Sequence, residues 1–223
     1  MSSIINKTYQ RSNVIIINTV LINTYALLGM SLLISAFCAI LSASMHLPAP
    51  GILLTMLGYY GLFYAVQKNA TNASAIIFVF LLTGFMGYTL GPLLNMLLSS
   101  NAGTNILISS LLGTGISFIS LSAYALVTKT DFNFMNGFLF TSLIGCVVAS
   151  CISLIFNIPM LSLLVSCAMT VISAGMILSQ TSEIIHGGER NYILATVSLF
   201  VTLYNLFLNL IHILSAFSSN NRD

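Results

Sequence analysis

The sequence predicts an all-α, polytopic membrane protein: seven transmembrane helices, with the seventh central in the bundle. Three observations carry that prediction. Of 223 residues only six are Lys or Arg and four Asp or Glu, 4% in all, where a soluble domain would carry about a quarter. Those charges and the turn residues among them divide the chain into seven apolar stretches. Each stretch is about 17 to 26 residues long, enough at about 1.5 Å per residue to cross a hydrocarbon core of about 30 Å.

The stretches are taken in order. Ile22–Met45 ends where His46, Pro48 and Pro50 follow, and Gly51–Gln67 ends at Lys68. Ser74–Leu98 stops before the Ser99-Ser100-Asn101 turn, and Asn105–Val127 before Lys129 and Asp131. Met135–Phe156 is closed by Asn157 and Pro159, Met160–Thr181 by Glu183, and Tyr192–Phe217 runs nearly to the end. Lipid gives the backbone no hydrogen-bond partner, so each must be a helix or a strand of a closed barrel. Barrel strands alternate over about ten residues, and no stretch here alternates.

Lys7, Arg11, Lys68, Lys129 and Arg190 fall on one side of such a bundle and only Arg222 on the other. The positive-inside bias then places the N-terminus in the cytoplasm and the C-terminus outside it. The expected organisation is a cytosolic tail over residues 1–19, a bundle over 20–217 and a short C-terminal tail over 218–223. The loops His46–Pro50, Ser99–Thr104 and Asn157–Pro159 hold no extracellular binding domain. The polar tail lacks the order of basic start, apolar core and cleavage site of a signal peptide, so it is expected to stay attached and unstructured.

Cys38, Cys146, Cys151 and Cys167 lie inside apolar spans without metal-ligand spacing and read as small hydrophobes. Gly84, Gly87 and Gly91 in the third span, and Gly113 and Gly115 in the fourth, read as small faces for close helix contact, within one bundle or between bundles. Pro92 is expected to kink or shorten the third helix.

In the last span Ser198, Thr202, Asn205, Asn209 and His212 recur at spacings of four and three residues, which puts them on one helix face. Such a stripe is costly against lipid, so it is expected to be buried, and the seventh helix central. It serves either to fix packing or to line a hydrated path; the absence of any carboxylate deep in a span favours packing. Catalysis finds little support, with no His-Glu-X-X-His pair, no Gly-X-Ser-X-Gly elbow and no Ser–His arrangement at matching depth. No cofactor, metal or nucleic-acid signal is present.

Four passages carry a family resemblance: LPAPGILLTMLGYYGLFYAV at Leu47–Val66, LTGFMGYTLGPLLN at Leu82–Asn95, SAYALVTKTDFNFMNG at Ser122–Gly137 and QTSEIIHGGERNYILATVSLFVTLYNLF at Gln180–Phe207. Together they resemble the Bax-inhibitor family of seven-helix membrane proteins, in its bacterial, YccA-like branch. The resemblance implies six helices around a central seventh, in the bacterial inner membrane. It also implies binding to the ATP-dependent membrane protease FtsH through the cytosolic tail, slowing degradation of other membrane proteins such as SecY. Lys7 and Arg11 are the tail's candidate contacts. Another branch is described as a pH-sensitive calcium leak with a pair of sensor aspartates, whose positions here are Gln180 and Thr202. Neither ionises, so a proton shared between two carboxylates cannot gate this chain.

Overall fold

The computed structural model describes the backbone of residues 2–220 and the side chains of residues 16–218. It contains α1 (Ser2–Ser44), α2 (Ile52–Asn69), α3 (Ala75–Leu98), α4 (Gly103–Thr128), α5 (Asn136–Phe156), α6 (Pro159–Ile185) and α7 (Tyr192–Asn220), with a 3-10 turn at Asn133–Met135 before α5. No strand occurs among the described residues. Six helices are long and apolar enough to cross a membrane. The exception is α2, whose 18 residues include Tyr59, Tyr60 and Tyr64 and end in Gln67-Lys68-Asn69.

One boundary differs from expectation. Residues 2–19, read from sequence as an unstructured tail, are helical from Ser2 onward. The helix continues without a break into the apolar stretch that follows, and lengthening an existing helix needs no new nucleus. The side chains of Lys7 and Arg11 lie outside the described residues, as do residues 221–223 with Arg222.

The chain forms two compact units, one from residues up to Gly91 with Glu183–Phe200, the other from Pro92–Ser182 with the residues from Val201 on. In the first unit α3 packs tightly on α1. A Cβ at Gly87 would overlap the Ser35 carbonyl, one at Gly91 would overlap the Ser42 side chain, and one at Gly84 would lie 3.3 Å from Cys38 Sγ. The glycines at three- and four-residue spacing thus let two helices meet backbone to backbone, as the sequence suggests. Gly58 of α2 receives the Phe85 ring in the same way.

That close approach resolves the proline. Pro92 lies inside α3 without ending it. Having no N–H, it cannot donate to the carbonyl four residues back, which belongs to Tyr88. The Ser42 hydroxyl of α1 donates to Tyr88 O instead, at 3.0 Å. Gly91 leaves the room for it, and the Tyr88 hydroxyl in turn donates to Pro48 O at 3.1 Å, tying the α1–α2 loop to α3.

In the second unit Leu97, Ile106 and Ile211 form a buried apolar cluster with Leu93, Phe207 and Leu214 around it. Gly113 faces Leu210, whereas Gly115 has no neighbour within 4 Å and makes no close contact. Two helix ends here are closed by non-glycine residues in the left-handed region: Lys129 after α4 and Asn157 after α5. At the second, the Ser153 hydroxyl donates to Ile158 O at 2.9 Å and Ile158 N–H to Ser153 O at 3.1 Å. Buried residues are most frequent along α3 and α7, at 44% of each apolar window.

Ser42→Ala is expected to destabilise the protein by about 1–3 kcal/mol, the cost of a buried acceptor left without a donor. In a Pro92→Ala background the restored N–H answers Tyr88 O, and the same change should cost about 1 kcal/mol less. Thermal or denaturant unfolding of the four proteins checks this; equal costs in both backgrounds would refute it.

Candidate functional site

At the end of α6 four uncharged polar residues stand in a row, Ser179, Gln180, Thr181 and Ser182. A helix turns about 100° per residue, so successive side chains meet different neighbours. Ser179 hydrogen-bonds Asn136 Oδ1 at the start of α5. Ser182 donates to Thr130 O at 3.1 Å and accepts from Phe132 N–H at 3.0 Å, fastening the α4–α5 loop. That loop is further shaped by Asp131, whose Oδ1 accepts from Asn133 N–H at 2.9 Å. Ser179, Thr181 and Ser182 are all buried.

Gln180 points to α7. Its Nε2 donates to Thr202 Oγ1 at 3.0 Å, and Thr202 Oγ1 donates to Gln180 Oε1 at 3.2 Å. The two positions matched to sensor aspartates are therefore in direct contact, as a reciprocal amide–hydroxyl pair. Thr202 is buried and Gln180 half-buried. Neither group titrates, so the contact keeps its charge at every physiological pH.

The polar stripe of α7 is only partly enclosed. Thr202 is buried, Asn205 and Asn209 are half-buried, and Ser198 and His212 are exposed. Asn209 Nδ2 donates within its own helix to Asn205 O at 2.7 Å. Around Ser198 the neighbours Thr196, Val197, Leu199 and Phe200 are buried, so the serine occupies the open side of an otherwise enclosed turn. The expectation of a uniformly buried stripe is corrected at both ends. The periodicity passes over Thr196, which is fully buried and donates to Tyr192 O at 2.7 Å and to Thr24 O at 3.2 Å.

His212 also corrects the sequence reading. Its Nδ1 lies 3.0 Å from Ser166 Oγ and its Nε2 3.3 Å from Ser162 Oγ, so a Ser–His arrangement does exist. Ser166 already directs its hydroxyl proton to Ser162 O at 3.1 Å. Its oxygen is then the acceptor for Nδ1–H, which leaves Nε2 to accept from Ser162. Both ring nitrogens are thus taken by hydroxyls and no carboxylate orients the ring, unlike a hydrolase triad. Ser162 and Ser166, four residues apart on one face of α6, clasp the imidazole and fasten α6 to α7.

The α6–α7 loop, residues 186–191, is rigidly built. Asn191 caps α7, its Oδ1 accepting from Ile193 N–H at 2.9 Å and its Nδ2 donating to Ala70 O at 2.8 Å in the α2–α3 loop. Glu189 Oε1 accepts from Asn191 N–H at 2.7 Å, and Arg190 Nε donates to Gly187 O at 3.2 Å. Among the described residues no three His, Cys, Asp or Glu side chains gather as a metal site.

The family model described as Inhibitor of apoptosis-promoting Bax1 matches residues 17–219. The chain is 42% identical to the Modulator of FtsH protease YccA of Escherichia coli K12 over 214 residues, 96% of this chain and 97% of that one. A protein of Escherichia coli O6:H1 named Inner membrane protein YccA matches to the same extent. An uncharacterised protein of Pseudomonas aeruginosa is 45% identical over 197 residues, 88% of this chain and 89% of its own.

Gln180→Leu and Thr202→Val, singly and together, isolate the α6–α7 pair. Their coupling energy is expected at about 1 kcal/mol, the range of interhelical hydrogen bonds in membranes. Because neither partner ionises, that coupling should be the same at about pH 5 and about pH 8. A coupling near zero, or one that changes with pH, would contradict the pairing.

Proposed function

The chain belongs to the Bax-inhibitor family, and from that membership we propose that it is a non-enzymatic modulator of an FtsH-type protease in the bacterial inner membrane. Its relative in Escherichia coli K12 carries the name of such a modulator and aligns over nearly the full length of both chains. The observation that carries the reading is the uncharged hydrogen-bonded pair Gln180–Thr202, with Ser179 and Ser182 beside it. In place of an ionisable latch, Gln180 and Thr202 join α6 to α7 by bonds between groups that do not titrate. A protease that pulls its substrates would meet a bundle that yields slowly.

All seven helices cross the membrane in this reading, α2 included, with α7 innermost. The N-terminus then lies in the cytoplasm and the C-terminus on the other face, as the cation distribution suggests. The protease grips the segment before the span. The handle is the segment 1–19, which includes Lys7 and Arg11 and whose backbone is helical from Ser2 on.

A second reading, a passive ion leak, is favoured by a different observation. Among the described residues the hydroxyls of Ser110 and Ser122 on α4 are buried without hydrogen-bond partners, groups that a hydrated interior would satisfy. Asn205 and Asn209 add half-buried amides.

Deleting residues 2–19 should abolish the lengthening of the half-life of SecY left unpaired with its partners, while the unaltered chain lengthens it severalfold. An unchanged half-life with both, at good membrane expression, would sink the modulator reading. The leak predicts ion flux in reconstituted vesicles that Asn205→Leu alters.

A further inference from the structure

The loop between α6 and α7 combines opposite charges, an aliphatic wall and a fixed backbone. His186, Gly187, Glu189 and Arg190 line one side of a cavity of about 90 Å³, and Ile16, Ile17 and Val20 of α1 line the other. The backbone is held throughout. Gly187 N–H donates to Ile184 O at 3.1 Å, and the N–H groups of Gly188 and Glu189 both donate to Glu183 O, at 2.9 and 3.3 Å. Gly187 has φ +74°, a conformation other residues rarely adopt, and its position lies against the Ile17 side chain.

The charges on this loop are oriented but unspent. Arg190 uses Nε on Gly187 O, and Glu189 uses Oε1 on Asn191 N–H. Among the described residues, the terminal guanidinium nitrogens and the second carboxylate oxygen have no hydrogen-bond partner. A cation and an anion held on adjacent residues do not suit a purely anionic ligand, and Glu183, just before the loop, adds more negative charge. They suit a zwitterion with a phosphate at one end and a primary ammonium at the other: guanidinium for the phosphate, carboxylate for the ammonium.

The depth of the loop supplies the source of that ligand. Residues 186–191 join the apolar helices α6 and α7, and Ile16, Ile17 and Val20 of α1 line the same cavity and so stand at the level of that loop. Both walls of the cavity therefore lie at a membrane boundary, where headgroups lie. The aliphatic side chains of α1 face the point at which a headgroup gives way to its acyl chains.

We propose that the α6–α7 loop and the turn of α1 that carries Ile16, Ile17 and Val20 bind a membrane phospholipid with an aminophosphate headgroup, phosphatidylethanolamine, with its phosphate on Arg190 and its ammonium on Glu189. The cavity takes the headgroup, and the acyl chains stay in the bilayer. A methylated choline headgroup loses the N–H donors that Glu189 accepts, and a glycerol headgroup lacks the cation.

The purified full-length chain in detergent, delipidated and then supplied with phosphatidylethanolamine, phosphatidylcholine or phosphatidylglycerol, tests this. Phosphatidylethanolamine is expected to raise the unfolding temperature by about 5 °C more than either of the others. Glu189→Gln retains an oxygen for Asn191 N–H and should erase the preference over phosphatidylcholine; Arg190→Gln should erase the stabilisation by phosphatidylethanolamine. Lipid retained in native mass spectra of the unaltered chain gives a second measure independent of the variants. Equal shifts and equal retention for the three lipids would overturn the proposal, as would variants that keep the preference.

Discussion

Every backbone carbonyl freed inside the membrane must be answered from within the protein, and the hydrogen bond from Ser42 to Tyr88 O shows how this chain meets that constraint. Hydrocarbon offers no water to take up the acceptor that Pro92 leaves open. Here a hydroxyl from another helix supplies the donor, and it reaches only because Gly87 and Gly91 let the backbones of α1 and α3 come together. The proline, the two glycines and the serine form one device. Small residues give proximity, and proximity lets a single hydroxyl replace a bond of the helix ladder.

The same economy governs the polar residues of α6. Ser179, Gln180 and Ser182 carry no charge, yet each fastens a different element: the start of α5, the middle of α7 and the α4–α5 loop. In a medium of low dielectric an amide–hydroxyl pair avoids the desolvation cost that an ion pair would bear. The Ser162–His212–Ser166 clasp adds a second link between α6 and α7. The Gln180–Thr202 pair contains no titratable group, so that link between α6 and α7 holds as pH changes.

Much of this was legible in the sequence. Hydropathy and charge spacing placed the helices, because lipid allows few alternatives to a helix of about 20 apolar residues. The glycine spacing announced a close helix contact, and α3 against α1 supplies it. The helical start of α1 was not legible because residues 2–13 are mostly polar, with Lys7 and Arg11, and carry no apolar period of their own. The burial of the α7 stripe was overstated for a different reason. A period of 3.6 fixes which residues share a face, but the enclosure of that face varies along the helix, and Ser198 and His212 fall where it is open.

By itself the sequence determined that the chain is helical and membrane-compatible, and which polar residues stand together on each helix. Only the tertiary structure decided the partners: Ser42 for Tyr88 O, Thr202 for Gln180, Ser162 and Ser166 for His212, Asn191 for Ala70 O. The physical reason lies in the range of each cause. Apolar transfer and backbone hydrogen bonding act residue by residue, so a string of letters records them. A side-chain bond depends on how helices far apart in the chain cross, and that geometry comes from the packing of many residues at once.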